Sequence, residues 1–515
     1  MIFGLKRGVL AATAFIFSLG AASVPVRADD APPLVIHIYH TNDIHGWIMP
    51  RPDPIEGGRP IGGAAAFKAL VDRDSGPKLV LDAGDWWQGT PEGSLTKGAQ
   101  VADVFNAVGY DAAEIGNHEF DAGVGNLKSL IAKLKMPVLA ANVYGPDGRR
   151  VPWTKPWIVE TVDGVKIGVF GLLTTHMPDL EFPKNIAGLT FRREVDEARD
   201  DVKALKRRGA QVIVAVTHVG FEEPDRAKFE GDQTIAREVA GIDVIVGGHS
   251  HTTLRVPYRD PVHGTLVVQT GCYLLRAGVI TLKIDPKTRR VISSEDRLVD
   301  LRPDRLGEDP AVKAVVDRAA LSVGRAFDAV VATAPVALNR AGPDQESALG
   351  SWMADCYRAR LGADLGLQNA GGIRSDVPAG PVTLRRIFNV MPFDNELVKV
   401  TMSGALLRRV LERAVSSPGL AQISGAALTF HPGPRDERGL VSATVAGAAI
   451  DDARAYTVAT LDFLVNGGDG YREFAQAASR EATGISARDA LRECAAKQGL
   501  MAAPTPGRLA AAGGR

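Results

Sequence analysis

The sequence predicts an α/β protein built from two domains. Short β-branched runs alternate with amphipathic helical patterns through the first half, the rhythm breaks over residues 300–327, and a second alternation follows. A chain of 515 residues also exceeds what one hydrophobic core usually supports.

The first 28 residues stand apart from both domains. Lys6 and Arg7 precede an apolar run over residues 8–26 that ends in Val26-Arg27-Ala28, the pattern of an export signal cleaved after Ala28. An uncleaved anchor is the alternative, because the run approaches the ~20 residues that span a bilayer. Ser18, Gly20, Ser23 and Pro25 within the run, and the lack of a second apolar span, favour cleavage and a periplasmic or secreted protein with no stable membrane anchor. Runs that read as buried strands follow at residues 34–39, 78–81, 166–172, 211–217, 242–246 and 265–269. Helical patterns lie between them at 62–72, 101–108, 127–134 and 194–208. A Pro-punctuated stretch then leads into a helical pattern over 310–326, read as an interdomain connector. In the second half, helices are expected over 347–361 and 404–415 and strands over 363–367, 397–402 and 456–463. The Ala/Gly-rich tail after Pro504 is expected to fray.

Lys plus Arg (60) balances Asp plus Glu (60), so no global field draws a nucleic acid polymer or an anionic lipid surface, and any phosphate binding is local. Three cysteines, Cys272, Cys356 and Cys494, are too few for a disulfide scaffold or a thiolate metal site. At least one thiol stays free, and Cys356 and Cys494 share the second half and could pair. Composition carries no signal for or against self-association.

The chemistry lies in five segments, each placed just after an apolar strand pattern: Asp43-Ile44-His45, Gly84-Asp85, Gly116-Asn117-His118-Glu119, Thr217-His218 and Gly247-Gly248-His249-Ser250-His251. Taken singly, each is weak. An Asp-x-His is usually a capped turn, Gly-Asp is a common turn, and a lone His after a strand is usually a hydrogen-bonded rim residue. Together they differ, because ligands of open α/β sheets bind beyond the carboxyl ends of the strands, and five strands would aim these side chains at one rim. Carboxylate, amide and imidazole groups without thiolate suit Zn, Mn, Co or Mg, and one Asp can bridge two ions. Two cations ~4 Å apart can polarise a phosphoryl group and lower the pKa of a bound water to about 7. That pattern defines a phosphoester hydrolase.

The ordered set Asp43-x-His45, Gly84-Asp85, Gly116-Asn117-His118-Glu119, His218 and Gly248-His249-x-His251 resembles the calcineurin-like metallophosphoesterases. More narrowly, four stretches resemble the exported 5'-nucleotidase family, which includes periplasmic UDP-sugar hydrolases. They are His40-Thr41-Asn42-Asp43-Ile44-His45-Gly46, Gly116-Asn117-His118-Glu119-Phe120-Asp121-x-Gly123, Asn369-Ala370-Gly371-Gly372-Ile373-Arg374 and Asn466-Gly467-Gly468-Asp469-Gly470-Tyr471. The resemblance spans nearly the whole chain after residue 28. It implies a four-layer α/β/β/α metallophosphoesterase domain over 29–305, a linker helix over 306–328 and a C-terminal α/β substrate-binding domain over 329–510. It further implies two divalent metal ions: Asp43, His45 and His251 would hold one, Asn117, His218 and His249 the other, and Asp85 would bridge them. His251 stands where relatives often carry Gln or Asn. His118 would contact the phosphoryl group and be oriented by Asp121.

For the second half, the residues alone say less. Asn369 to Arg374 is a glycine-rich turn ending in a cation, suited to phosphate but ordinary as a turn, and Phe393 and Phe463 read by default as core aromatics. The resemblance assigns Asn369, Gly372 and Arg374 to the substrate's polar groups, Phe393 and Phe463 to a clamp on the nucleobase, and Asp469 to the ribose hydroxyls. One departure is Gln345, where many relatives place a phosphate-gripping arginine; Arg340 lies a few residues upstream. The implied activity is release of phosphate from nucleoside 5'-monophosphates by attack of a metal-held hydroxide. Alternatives are a 2',3'-cyclic-nucleotide 2'-phosphodiesterase/3'-nucleotidase, a UDP-sugar hydrolase and, in a different class, a non-catalytic solute-binding protein.

Overall fold

Alternation along each early strand decides which layer its side chains enter. In the strand Leu34–Thr41, Ile36 and Ile38 join a cluster with Leu79, Leu81, Val214 and Val216, while Tyr39 joins one with Phe67, Phe105 and Leu127. The strand Val212–His218 behaves likewise: Val212, Val214 and Val216 enter the first cluster, and Ile213 and Ala215 pack with Val195, Val202 and Ile235. Strands buried on both faces read as continuous apolar runs, which is why they were visible in the sequence.

A computed structural model describes residues 1, 32–53, 55–221, 230–340, 342, 345–416, 419–433 and 437–513. The export signal expected over residues 1–28 lies, beyond Met1, outside the described residues. Two six-stranded sheets face one another. The first runs in the order Val291–Asp300, Arg276–Ile284, Leu34–Thr41, Lys78–Asp82, Ala112–Glu114, Val138–Leu139. The second runs Tyr258–Arg259, Leu266–Val268, Val244–Gly247, Val212–His218, Val165–Leu173, Trp157–Val162. The helices Ala64–Asp72, Ala99–Val108 and Gly123–Lys133 cover the outer face of the first sheet, and Glu194–Arg207 and Asp232–Glu238 cover that of the second. This is the four-layer α/β/β/α arrangement.

The helix Pro310–Val323 begins with Asp309 accepting from Val312 N and with Pro at its first position, both strong start signals. It packs against the first domain through Val312, Val316 and Ala319. Beyond it, a five-stranded sheet runs Gln422–Ser424, Leu365–Gln368, Ala455–Leu461, Glu396–Ser403, Ser479–Ser486. A four-stranded sheet runs Ala448–Ala449, Leu440–Val445, Ala426–Phe430, Leu509–Ala511. The helices Ala348–Leu361 and Gly404–Ser416 pack on this half with separate apolar clusters.

Two expectations are corrected. Among the described residues the tail after Pro504 does not fray: Leu509 pairs in parallel with Leu428, and Arg508 donates to both Asp355 carboxylate oxygens at 3.0 and 2.8 Å. An ordered ion pair and a strand ladder hold it where composition suggested looseness. The strand expected over 456–463 ends at Leu461, and Phe463 sits in the helical turn Asp462–Val465.

Cys356 and Cys494 form a disulfide across 138 residues, with Cα atoms 5.8 Å apart, tying Ala348–Leu361 to Ala487–Gln498. Cys272 is the free thiol. Cross-linking a long loop restricts the unfolded chain, so replacing both cysteines by serine should lower stability by about 2–5 kcal/mol. Chemical denaturation of the variant, with metal content held fixed, checks this.

Candidate active site

The five sequence segments leave the ends of neighbouring strands. Asp43 and His45 follow Leu34–Thr41, Asp85 follows Lys78–Asp82, Asn117 follows Ala112–Glu114, His218 ends Val212–His218, and His249 and His251 follow Val244–Gly247. Asp43, His45, Asp85, His249 and His251 adopt φ of 51°, 50°, 59°, 76° and 56°. Side-chain-bearing residues rarely take this conformation, and its concentration here marks loops shaped by what they hold. Gly84, at φ 91°, and Gly116 let two of the loops touch: a Cβ on Gly84 would lie 2.7 Å from Gly116 N, and one on Gly116 would collide with the Asp85 carboxylate.

Two residues of the motifs act as clasps that the sequence reading left without a role. Buried Glu119 accepts from three backbone N–H groups, of Gly116 at 2.7 Å, Asp85 at 2.9 Å and Trp86 at 2.8 Å, and so binds two of the loops together. Asn42 donates to Asp43 Oδ2 at 2.6 Å and to the Gly271 carbonyl at 2.7 Å, fixing the carboxylate.

The predicted ligands gather in two groups. Donor atoms of Asp43, His45 and His251 lie within 4.8 Å of one another, as do those of Asp85, His218 and His249. Asp85 stands between the groups, its Oδ2 3.1 Å from His218 Nε2 and 3.6 Å from His45 Nε2. Asn117 Oδ1 lies 3.0 Å from His249 Nδ1.

The donor set fits a pair of cations. His45 Nδ1–H donates to the Gln88 carbonyl at 2.8 Å, which turns the Nε2 lone pair toward His251 Nε2, 2.9 Å away. Burial, reinforced by the nearby Arg374 guanidinium, holds both imidazoles well below the ordinary histidine value, so both are neutral donors. Burial also opposes charge at His218, yet Asp85 and Asp43 prevail and push it up to about 10. Anions that favour a proton there also favour a divalent cation, whose binding displaces that proton. The mixture of imidazole, carboxylate and amide groups suits Zn, Mn or Co, and its oxygen donors also suit Mg.

His118 belongs to neither group. Its backbone N–H donates to Asp85 Oδ1 at 2.9 Å, and its Nδ1–H faces both Asp121 oxygens at 3.0 and 3.1 Å. The imidazole borders a cleft of about 320 Å³ that also touches Asp85, Asn117, His249 and His251. Asn369, Gly372, Arg374, Phe393, Phe463 and Asp469 line the same cleft from the second domain. Asn369 Nδ2 donates to Asp469 Oδ2 at 2.7 Å, Arg374 Nη2 donates to His45 Nε2 at 3.0 Å, and the Phe393 ring lies 5.6 Å from that of His118. The residues assigned to metal, phosphoryl group and substrate therefore gather around one cleft. Three more come from an irregular segment with no periodic signal: Glu181, Phe182 and Asn185 line the cleft, with the Phe182 ring edge-on to Phe463 at 5.9 Å.

Comparison with known proteins gives this geometry a lineage. The calcineurin-like phosphoesterase family matches residues 36–253, and the 5'-nucleotidase C-terminal domain matches residues 330–476. The chain is 28% identical to a 5'-nucleotidase of Bos taurus, over 89% of this chain and 87% of that protein. It is 27% identical to the protein UshA of Yersinia enterocolitica, over 89% of this chain and 90% of that protein. A crystal structure of a 5'-nucleotidase precursor from Thermus thermophilus superposes with a TM-score of 0.86 at 28% identity, covering 94% of this chain and 100% of that one. The chain belongs to the family that joins a calcineurin-like phosphoesterase domain to a 5'-nucleotidase C-terminal domain, and it is a phosphoester hydrolase that depends on two divalent metal ions.

Proposed function

We propose that the protein is an exported 5'-nucleotidase that releases phosphate from nucleoside 5'-monophosphates. The observation that carries this reading is the one cleft that residues of both donor clusters share with Phe393, Phe463 and the Asn369–Asp469 pair. In it, Asp43, His45 and His251 would hold one cation, Asn117, His218 and His249 would hold the other, and Asp85 would serve both. When bound, the two cations supply Lewis-acid polarisation of the phosphoryl group and activation of a water molecule. Arg374 supplies a forked donor to the phosphate from the turn that Asn369 and Gly372 shape. His118, its Nδ1–H given to Asp121, aims Nε2 at the phosphoryl oxygens, and a proton carried there steadies the charge that develops. Phe393 and Phe463 stack on the base, and Asp469 accepts from the ribose hydroxyls. Export is supported by the basic and apolar N-terminal run; no helix among the described residues is long and apolar enough to cross a membrane.

Removing one ring tests the assignment of the base. Phe463→Ala should raise KM for AMP by about tenfold, the value of one stacking contact, and leave KM for para-nitrophenyl phosphate unchanged. Equal changes in both would remove base stacking from the account.

One observation favours a second substrate class beside the first. Gln345 is engaged through its backbone carbonyl, which accepts from Gln422 Nε2 at 3.1 Å, whereas the Arg340 guanidinium pairs with Tyr273, whose hydroxyl donates to the Arg374 carbonyl at 2.7 Å. Arg340, whose charge also bears on His251, is the candidate second cation for the longer phosphate chain of a UDP-sugar.

A further inference from the structure

The segment between the strands Val165–Leu173 and Thr190–Phe191 leans across the cleft yet has no part in the chemistry described so far. After one helical turn, Met177–Leu180, it delivers Glu181, which is only 5% exposed. Taking a carboxyl out of water is costly unless partners compensate. Its partners are Asp121 and Asn185. Carboxyl oxygens of Glu181 and Asp121 and a ring nitrogen of His118 lie within 4.8 Å of one another. Asn185 Nδ2 donates to Glu181 Oε2 at 3.2 Å and to the Asp121 backbone carbonyl at 3.0 Å, so one amide fastens this segment to the turn that carries Asp121.

Two buried carboxyls so close do not both ionise, because like charges in a dry site repel, and one proton serves the pair. Burial pushes Asp121 up to about 8 and Glu181 well above the usual carboxylate range, in keeping with a retained proton. Both Asp121 oxygens face His118 Nδ1, which makes Asp121 the acceptor of the pair and Glu181 the member that carries the proton.

The geometry points to Glu181 as a positioning residue, whose carboxyl proton holds the Asp121 carboxylate on His118 Nδ1 and so fixes the aim of the imidazole. Without that donor, Asp121 takes the proton itself and no longer receives Nδ1–H as an anion, so the imidazole loses its aim at the phosphoryl group. The role rests on His118 acting on that group as proposed above, and it is independent of which ester is cleaved.

A mutant cycle on the metal-loaded full chain, read with para-nitrophenyl phosphate, tests it. Glu181→Ala should lower kcat by at least about tenfold, the scale of a misaimed catalytic group, with KM and metal content unchanged. Glu181→Gln, whose amide still donates to Asp121, should recover most of that loss. In an Asp121→Ala background, Glu181→Ala should cost nothing further, because the two act through one contact. If the alanine variant fails to fold, Glu181→Met keeps the volume without the donor and replaces it in the cycle. Unchanged kcat, equal losses in both backgrounds, or a glutamine variant as slow as the alanine one would each overturn the role. Failure of the nucleotidase reading would appear elsewhere, as an unsubstituted protein that does not prefer AMP.

Discussion

Replacing His118 by alanine should lower kcat by about 10² or more while the protein keeps its full complement of metal. The expectation follows from the division of labour in the site. His118 stands outside both donor clusters, so its loss removes no ligand, and it borders the cleft beside them. A single donor aimed at developing charge in a sheltered site contributes about 3 kcal/mol, the energy behind that factor. Metal analysis and steady-state rates on the same preparation check the prediction. An unchanged kcat would remove His118 from the reaction, and lost metal would make it a ligand.

The second large effect concerns Asp85. It is 2% exposed and lies 3.1 Å from His218 in one cluster and 3.6 Å from His45 in the other. Burial opposes its ionisation, but the charged His218 beside it holds it well below the usual carboxylate range, so it is an anion at neutral pH. Asp85→Ala should bring metal content below two equivalents and activity down by about 10³ or more, since losing even about 4 kcal/mol of charge stabilisation costs that factor. Chelation of the unsubstituted protein should give the same loss, reversed by added Zn, Mn or Co. A variant that kept two equivalents of metal would show that Asp85 does not join the sites.

What the sequence displays and what it hides follow from periodicity. Asp43, His45, Asp85, Asn117, His218, His249 and His251 were legible because each follows an apolar strand, and strand ends of buried sheets converge. The polar edge strand Val291–Asp300 escaped notice because it is half exposed and lacks an apolar run. Leu509–Ala511 is too short and too small to announce itself as a strand; its order comes from Arg508 on Asp355 and from pairing with a distant partner. Glu181, Phe182 and Asn185 lie about 60 residues from His118 in an irregular segment, where hydrophobic periodicity carries no information. The roles of Phe393, Phe463 and Asp469 rest on resemblance at first, and the structure adds their meeting in one cleft with His118.

The most direct measurement of the whole account is hydrolysis by the two-metal protein of AMP, other nucleoside 5'-monophosphates, 3'- and 2',3'-cyclic nucleotides, UDP-glucose and para-nitrophenyl phosphate, followed as loss of each substrate and compared as kcat/KM. The account predicts that a nucleoside 5'-monophosphate heads this series, that the UDP-sugar is also cleaved, and that chelation abolishes all of it. A protein that released phosphate from the aryl ester as readily as from any nucleotide, or that kept its activity without metal, would contradict it.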